Sequence, residues 1–535
     1  MRCVIIDGYV DEPAVLGVPP YVSTYVRYTA GLFLIKGFEV DYYTIDQVRA
    51  SDTWHAFSVY DTMVIIGGLT VPGKYVGGNP ITPDEVKKLF DVNTKPYRIL
   101  IGAIGKAFSN KGGSFAKKFD FDVEEVVEDF SSWISQEFGA DYLQSIRETS
   151  IAGAEIVKFH PRFPDVICEI EVSLGCERRT FCTFCTEPIL HPKFFSRPVK
   201  DIVDEVEALY KNGIKAFRLG RSANIIAYGS DFNSGTINPE AVNELYSGIR
   251  SKCDDIKVLH TDNANPTYIA KNLEKSVKIL ESIVKYNTSG DILSFGVESF
   301  DEIVRKKNNI NGTVEDIDLA VKVVNEIGGL RDSGGVPKLL PGINIIFGLF
   351  GETKKTYEIN YNKLLWYLEN DLLLRRINLR QIMIFPGTPL YYLSQRKNVR
   401  PDKRLFEHYK YLIRNNVDTP MLKKVFPLGT IIRYVIPEFS EGKITFGRPL
   451  GTYPILIGVP AKFSEPTDIV VVGYGHRSLT GVRLVELNKL TIEELESIPG
   501  IGKKNALRIK QGDFSTVDKK AENFVKKFFV EIKLN

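Results

Sequence analysis

The chain has 535 residues, which predicts three or four domains at roughly 150 residues per domain. Its hydrophobic content of 44% and charged content of 25% exclude a disordered chain, a collagen-like repeat and a small disulfide scaffold. The formal net charge of +3 says little about partners. The sequence contains no run of about 18 to 20 apolar residues that would predict a membrane span. The start of the chain also lacks the apolar core of a signal peptide. We therefore expect a cytoplasmic protein with no membrane partner.

The first 125 residues predict a parallel α/β domain. Four short apolar segments, CVIIDGY, FEVDYYTI, DTMVIIGG and YRILIGAI, alternate with amphipathic segments. Buried β-branched strands that alternate with helices are typical of a parallel sheet with helices on both faces. Glycines follow the last two strands, where such sheets bind ligands, although tight turns explain them equally well. They are Gly67, Gly68, Gly102 and Gly105.

The rest of the chain divides into predicted domains that differ in their pattern of strands, helices and turns. Residues 126–165 are predicted to form a helical linker. Across residues 166–400 a strand and a helix alternate in units of about 30 to 40 residues, which predicts a full or partial β/α barrel with its chemistry at the carboxyl ends of the strands. Residues 401–425 are predicted to be helical. Short strands with Gly and Pro turns predict a small antiparallel barrel over 426–485, followed by helices over 486–535.

Three of the six cysteines lie within ten residues, directly after the predicted strand EIEVSL. They occur in the sequence Gly175-Cys176-ERRTF-Cys182-TF-Cys185. This clustering is unlike a disulfide framework and indicates a metal or catalytic site. Three thiolates can ligate three irons of a four-iron cluster and leave the fourth iron open for another ligand. The alternatives are a zinc site that also uses His191, and three unrelated core cysteines.

This loop and its surroundings resemble the radical S-adenosylmethionine (radical SAM) superfamily, in which three cysteines hold a [4Fe–4S] cluster. The resemblance implies that the open iron binds the amine and carboxylate of S-adenosylmethionine, and that reductive cleavage yields a 5′-deoxyadenosyl radical. Phe184, the aromatic residue before the last cysteine, fits the pattern. The spacing departs from it, because five residues separate Cys176 from Cys182 where three are usual.

Further segments resemble tRNA methylthiotransferases in chain order. They are Ser196-Arg197-Pro198, DIVDEVEAL, LGRSANIIAYGSD, SFGVESFDEIVRKKN, INIIFGLFGET and FPGTPLYYL. Together these similarities cover most of residues 166–395 and are specific as a set.

The resemblance implies roles for individual residues in binding the cosubstrate. Glu298 is expected to accept hydrogen bonds from the ribose hydroxyls, the alternative being a solvated carboxylate at a strand end. Close backbone approach requires glycine, so the adenine end is expected to be shaped by Gly348, Gly351 and Glu352. Arg221 or Ser222 is expected to meet the methionyl end.

Residues 426–485 resemble a TRAM-type barrel, the RNA-binding module attached to many tRNA-modifying radical enzymes. Such barrels bind nucleic acid through basic and aromatic surface residues. The alternative is that the aromatic residues are core and the cations only solubilise the barrel. The candidates are Arg433, Tyr434, Lys443, Phe446, Arg448, Tyr453 and Arg477.

The C-terminal sequence LTIEELESIPGIGKKNALRIKQ resembles a helix-hairpin-helix motif. Gly500 and Gly502 permit a tight turn, and the helix that follows presents free N–H groups to a phosphate. Lys503 and Lys504 add positive charge there, within a basic tail. The expected contact is with the sugar-phosphate backbone, and a purely structural hairpin is the alternative.

The N-terminal domain resembles the Rossmann-like fold that precedes the radical core in methylthiotransferases and in cobalamin-dependent radical enzymes. Methylthiotransferases place three cysteines there for a second cluster, whereas the N-terminal domain of this chain has only Cys3. A second cluster of that kind is therefore not expected. The D-x-H-x-x-G cobalamin signature is also missing, and His55 is the only histidine of this domain, which leaves cobalamin bound without a histidine ligand as an open alternative.

The sequence thus predicts a radical SAM enzyme that modifies a nucleic acid, with tRNA first among the candidates and a ferredoxin or flavodoxin as electron donor. The whole arrangement resembles an archaeal-type family with a C-terminal helix-hairpin-helix. One rival interpretation is a cobalamin-dependent radical methyltransferase that acts on a small molecule or lipid. The other is a non-catalytic, zinc-stabilised RNA-binding protein.

Overall fold

The computed structural model describes residues 1–12, 15–16, 21–68, 78–105, 120–231 and 235–530. Within those ranges no helix combines the length and the apolar character needed to cross a membrane. The N-terminal helices are α1 (Thr24–Ile35), α2 (Ile45–Ser51), α3 (Pro83–Val92), α4 (Phe130–Phe138) and α5 (Tyr142–Ala152). The strands are β1 (Arg2–Asp7), β2 (Asp11–Glu12), β3 (Val15–Leu16), β4 (Tyr21–Val22), β5 (Glu39–Thr44), β6 (Thr62–Ile66), β7 (Tyr97–Ile101) and β8 (Glu125–Val127).

Five of these strands form a parallel sheet in the order β5–β1–β6–β7–β8. Strands β1 and β6 are apolar on both faces, because α2 and α3 pack on one side and α1, α4 and α5 on the other. This confirms the doubly covered parallel sheet that alternating apolar segments predict. At its carboxyl edge Ile81 packs against Gly8 and Gly67, and a Cβ on Gly8 would lie 2.2 Å from the Ile81 side chain. His55 lies between α2 and β6, at the opposite, amino edge.

The central part of the chain carries the longest β/α repeat. Its strands are β9 (Ile167–Glu171), β10 (Ser173–Leu174), β11 (Phe195–Ser196), β12 (Ala216–Gly220), β13 (Val258–His260), β14 (Asn263–Ala264), β15 (Asp291–Glu298), β16 (Leu339–Phe347) and β17 (Arg376–Gln381). The helices are α6 (Glu187–Leu190), α7 (Val199–Lys211), α8 (Pro239–Lys252), α9 (Pro266–Lys271), α10 (Leu273–Tyr286), α11 (Glu302–Lys307), α12 (Val314–Gly328), α13 (Lys354–Glu369), α14 (Pro389–Ser394), α15 (Lys403–Ile413) and α16 (Thr419–Val425).

These strands form two parallel sheets, ordered β4–β9–β12–β13 and β14–β15–β16–β17. Only two residues separate β13 from β14, so the sheets follow one another as a half-barrel, the partial form of the predicted β/α barrel. Strand β4 is the unexpected member, since Tyr21 pairs beside Ile167 and Val22 beside Cys168. The proposed boundary at residue 125 did not anticipate this pairing, because two strand residues carry no recognisable pattern.

A closed five-stranded barrel follows, in the order β18–β19–β20–β22–β21. Its strands are β18 (Ile431–Glu441), β19 (Ile444–Pro449), β20 (Leu456–Val459), β21 (Thr467–Gly475) and β22 (Ser478–Arg483). The predicted small barrel is confirmed, with one difference: β20 and β22 pair in parallel, which closes an otherwise antiparallel sheet. The last helices, α17 (Ile492–Glu496), α18 (Lys503–Lys510) and α19 (Lys519–Val525), pack on apolar residues of β21 and β22.

The loop between β19 and β20 closes the amino-terminal end of the half-barrel. Leu450 packs against Tyr21, Ile167 and other residues at the first positions of the parallel strands. His260 Nδ1 accepts a hydrogen bond of 3.0 Å from the backbone N–H of Thr452. The guanidinium of Arg376 lies 3.7 Å from the centre of the Tyr453 ring. The small barrel therefore closes one end of the half-barrel and leaves the carboxyl ends of the strands on the opposite side.

Candidate functional site

The three clustered cysteines lie in a loop after β9 and β10, at the carboxyl end of the half-barrel. The loop begins at Gly175, whose φ is +76° and whose added Cβ would lie 2.4 Å from the backbone oxygen of Lys193. Only glycine fits a left-handed turn so close to another backbone segment. Antiparallel pairing of β10 with β11 brings Lys193 to this position and so fixes where Cys176 starts the loop.

The second half of the loop is anchored by residues that follow α11. The backbone N–H of Thr183 donates to the Asn308 oxygen over 3.0 Å, and the amide of Asn309 donates to the Phe181 oxygen over 2.7 Å. Arg178 bridges the two segments, because it donates to the Asn309 oxygen (2.9 Å) and to Cys182 Sγ (3.0 Å). A guanidinium at hydrogen-bond distance stabilises a thiolate, the form in which cysteine binds metals.

Burial dominates the acidity of the three thiols. It raises the pKa of Cys176 and Cys182 above their ordinary value, and that of Cys185 to about 12. The negative charge of Glu298 adds to this effect at Cys182 and Cys185. Buried thiols crowded with negative charge become thiolates when a cation such as iron binds them.

The donor set fits an iron–sulfur cluster better than a single zinc ion. In the described ranges no three Cys, His, Asp or Glu side chains are arranged to hold one metal ion. His191, the histidine of the zinc alternative, contacts the Arg221 guanidinium at 3.3 Å instead. Cysteine thiolates are the usual ligands of iron–sulfur clusters, and this loop supplies three of them.

Glu298 ends β15 with an unusual backbone. Its φ is +62°, and the pairing register of β15 with β16 shifts between Gly296 and Glu298. This bulge turns the carboxylate toward Gly296, where an added Cβ would lie 3.0 Å from Oε1. Oε2 is buried without a hydrogen-bond partner among the described residues, and burial raises the pKa of Glu298 to about 7. An unpartnered buried carboxylate oxygen is suited to accept ligand hydroxyls.

The predicted adenine-site residues form one tight turn after β16. The backbone N–H of Gly348 donates to both carboxylate oxygens of Glu352, each over 2.9 Å. The φ of Gly348 is +94°, and an added Cβ would lie 2.6 Å from the Pro401 nitrogen. Gly351 likewise has φ +88° and lies against Lys307. The turn is thus tightly packed, with Pro401 against Gly348 and Lys307 against Gly351.

Arg221 and Ser222 both lie beneath the cysteine loop and bind protein groups. The guanidinium of Arg221 lies 3.1 Å from Glu171 and over the ring of Tyr25. The Ser222 hydroxyl is 2.9 Å from that of Ser173, which lies in β10. A cosubstrate contact by either residue stays a prediction.

A buried polar network beside Cys176 was not anticipated from the sequence. Glu177 Oε1 accepts hydrogen bonds from the amides of Asn224 (3.0 Å) and Asn265 (3.1 Å). A further buried network joins Arg218 on β12 to Glu169 on β9 and to Asp262. Charged residues within otherwise apolar strands, Glu169 and Glu171 at alternate positions of β9 and Arg218 on β12, were the available sequence signal.

The predicted nucleic-acid contacts of the small barrel are mostly paired with acids. Arg433 lies 3.1 Å from Asp468, and Lys443 lies 2.7 Å from Glu493. Arg448 contacts Glu438, and Arg477 lies 3.9 Å from Asp418. Phe446 stacks on Phe439, with 5.0 Å between the ring centres. Tyr434 donates a hydrogen bond of 2.9 Å to Asp165, and the Tyr453 ring packs under Arg376.

The predicted hairpin lies between α17 and α18. Gly500 has φ +87°, and Gly502 caps α18 without a side-chain hydrogen bond. Lys503 and Lys504, in the first turn of α18, are exposed. The helical arrangement is present; phosphate contact by these residues stays a prediction.

Comparison with known proteins agrees with this geometry. Residues 170–363 match the model of the radical SAM superfamily. An uncharacterized protein of Archaeoglobus fulgidus is 41% identical over 94% of this chain and 93% of its own length. The ribosomal protein uS12 methylthiotransferase RimO of Acetivibrio thermocellus is 26% identical, over 60% of this chain and 66% of its own. A tRNA-2-methylthio-N(6)-dimethylallyladenosine synthase of Thermosipho africanus is 24% identical, over 52% and 59% respectively.

Among solved structures, the radical SAM methyltransferase TsrM of Kitasatospora setae, with cobalamin and a [4Fe–4S] cluster bound, covers 73% of this chain and 77% of its own. The TM-score is 0.46 and the identity 14%. Residues 170–363 therefore form a domain of the radical SAM superfamily, whose members use a [4Fe–4S] cluster and S-adenosylmethionine. Within it, the chain belongs to the same family as the Archaeoglobus fulgidus protein.

Proposed function

We propose that this protein is a radical SAM transferase in which Cys176, Cys182 and Cys185 hold the [4Fe–4S] cluster. The observation that carries the proposal is that the three-cysteine loop and the unpartnered carboxylate oxygen of Glu298 both lie at the carboxyl ends of the half-barrel strands. Thiol ligands and a hydroxyl acceptor meet at the carboxyl end of the half-barrel, where parallel α/β folds place their chemistry.

Different residues of this chain form different parts of the cosubstrate site. Glu298 accepts the ribose hydroxyls, and the turn of Gly348, Gly351 and Glu352 gives the adenine a tightly packed backbone edge. Arg221 and Ser222 support the base of the cysteine loop through Glu171 and Ser173. When bound, the cluster and S-adenosylmethionine supply a carbon-centred radical that removes hydrogen from an unactivated carbon, which acidic and basic side chains cannot do alone. A ferredoxin or flavodoxin serves as the electron donor.

The proposed substrate is a nucleic acid, with tRNA first. Two observations support it: one relative is named as a tRNA-modifying synthase, and the helices after the closed barrel expose Lys503 and Lys504. Exposed cations at the start of a helix are common in sites that bind phosphate backbones. The relative named for a ribosomal protein makes protein uS12 the main competing substrate.

Nucleoside mass spectrometry of tRNA and rRNA, from cells with and without the gene, tests the substrate. We expect one modified nucleoside to disappear from the tRNA pool and to return with the unaltered gene but not with a Cys182→Ala gene. Unchanged nucleosides together with a mass change in a ribosomal protein would show that the substrate is a protein and not a nucleic acid.

A further inference from the structure

Two groups of exposed cations in this protein differ in their electrostatic surroundings. On the small barrel, Arg433, Lys443 and Arg477 each lie within 4 Å of a carboxylate. A neighbouring carboxylate offsets the positive potential that would attract a polyanion, so these cations contribute little to phosphate binding.

A second group surrounds the cysteine loop. It comprises Lys306 and Lys307 on α11, and Arg396, Lys397 and Arg400 between α14 and α15. All five side chains are exposed, and within the described ranges none forms an ion pair. Together with Tyr392, we call these residues the mouth surface.

The carboxylates nearest in sequence are already engaged by backbone groups. Asp402 accepts from the N–H groups of Arg404 and Leu405, each over 3.0 Å. Glu302 accepts from the N–H of Val314 over 2.8 Å, and Glu352 from that of Gly348. These carboxylates cap turns and helices, and among the described residues none of them lies within 4 Å of a mouth-surface cation.

The mouth surface is joined directly to the cysteine loop. The backbone N–H of Leu390 in α14 donates to the Thr183 oxygen over 2.8 Å. Val399 belongs to the apolar cluster against which Cys182 and Phe184 pack. Asn308, next to Lys307, holds Thr183 from the other side. A polymer bound to these cations would therefore lie beside the proposed radical site.

An exposed aromatic ring lies among the cations. Tyr392 is 63% exposed and packs edge-on against Tyr391, with ring centres 5.6 Å apart. Unpaired cations next to an exposed aromatic ring are the combination that binds unpaired nucleotides, by phosphate contact and base stacking.

We propose that the mouth surface, and not the small barrel, is the main phosphate-binding surface for the nucleic-acid substrate. The proposal rests on the proposed function, since it takes a nucleic acid as the substrate. It assigns Lys306, Lys307, Arg396, Lys397 and Arg400 to backbone phosphates and Tyr392 to a stacked base beside the cysteine loop.

The test measures binding of bulk tRNA to the full-length, iron-loaded protein over a range of salt concentrations. Each lost phosphate contact lowers the slope of log affinity against log salt by about 0.7 to 0.9, so Arg396→Ala/Lys397→Ala/Arg400→Ala should lower it by about two to three. The matched control, Arg433→Ala/Lys443→Ala/Arg477→Ala, removes the same charge and should leave the slope almost unchanged. Tyr392→Ala should weaken binding by about tenfold without changing the slope. Iron content and melting temperature report whether each variant folds.

Three results would overturn the proposal. They differ in whether they reject the nucleic-acid substrate, the location of the binding surface or the ligand of the mouth surface. If the unaltered protein does not bind tRNA, nucleic acid itself fails as the substrate. If the unaltered protein binds but only the small-barrel triple variant loses slope, the surface is wrongly placed. If the mouth variant keeps its slope but is reduced more slowly by an acidic flavodoxin, the mouth surface docks the electron donor instead.

Discussion

Arg27 on α1 contacts Glu205 on α7 in a fully buried ion pair, although 178 residues separate them. Glu205 also accepts a hydrogen bond of 2.6 Å from Arg197, whose side chain is equally buried. The network ties the N-terminal domain to the half-barrel immediately beneath the strand that leads into the cysteine loop, because Arg27 also contacts the Glu169 backbone oxygen.

Glu205→Gln is therefore expected to destabilise the protein strongly. Removing the carboxylate leaves two buried guanidinium charges without compensation, which costs about 3 to 5 kcal/mol. Asp204→Asn is the control, because its pair with Lys200 is exposed and contributes about 0.5 kcal/mol. Guanidinium denaturation at pH 7 compares the two. Equal midpoints for the two variants would show that the buried network adds no stability.

Asp7→Asn is expected to stabilise the protein at alkaline pH. Burial raises the pKa of Asp7 from 3.8 to about 7, although Tyr42 and the Tyr9 N–H both donate to its carboxylate. The folded state thus binds a proton more tightly than the unfolded state, and stability falls as pH rises from about 4 to about 7. Above pH 7 the penalty is complete, on the order of 4 kcal/mol.

Denaturation at pH 4 and pH 8 checks this sign. The Asp7→Asn variant should exceed the unaltered protein in stability at pH 8 and lose that advantage at pH 4. A variant that is less stable than the unaltered protein at pH 8 would mean that the buried carboxylate is favourable when charged.

Gly175→Ala is expected to impair iron loading. Gly175 and Gly37 share a left-handed backbone, with φ of +76° and +81°, so alanine at either position costs about 1 to 2 kcal/mol. At Gly37 an added Cβ meets nothing within 4 Å, whereas at Gly175 it would lie 2.4 Å from the Lys193 oxygen. Iron per chain after reconstitution should fall for Gly175→Ala and not for Gly37→Ala. Equal iron contents would show that the start of the loop adapts.

Glu298→Gln is expected to weaken S-adenosylmethionine binding by about tenfold, because a charge-assisted hydrogen bond becomes a neutral one. Calorimetry on the reconstituted protein measures the affinity. Glu281→Gln, on the exposed face of α10, is the control and should bind normally. If the affinity of Glu298→Gln is unchanged, Glu298 does not bind the ribose hydroxyls and is only a carboxylate at a strand end.

Local patterns in the sequence were sufficient for the strands and for the position of the cysteine loop. Apolar β-branched runs such as β1 and β6 are buried on both faces whatever surrounds them, and three cysteines after one strand must lie at its carboxyl end. The partners of charged side chains were not predictable, because they depend on packing between distant segments. Arg27 meets Glu205, and Lys443 meets Glu493, only after the domains assemble.

The same reason explains why the small-barrel cations resembled a nucleic-acid surface in the sequence. Their number and type are visible there, but their neutralising acids lie 35 or more residues away for Arg433, Lys443 and Arg477. Glu177 was likewise indistinguishable from a solvated loop acid until Asn224 and Asn265 were seen to bind it.

Reductive cleavage of S-adenosylmethionine by the reconstituted protein and its Cys182→Ala variant tests the central claim most directly. The account predicts that the unaltered protein releases 5′-deoxyadenosine when dithionite is supplied, and that Cys182→Ala releases none. Cys253→Ala, a buried cysteine outside the loop, should retain cleavage. Cleavage that persists in Cys182→Ala, or its absence in an unaltered protein loaded with iron and sulfide, would contradict the assignment of the three cysteines.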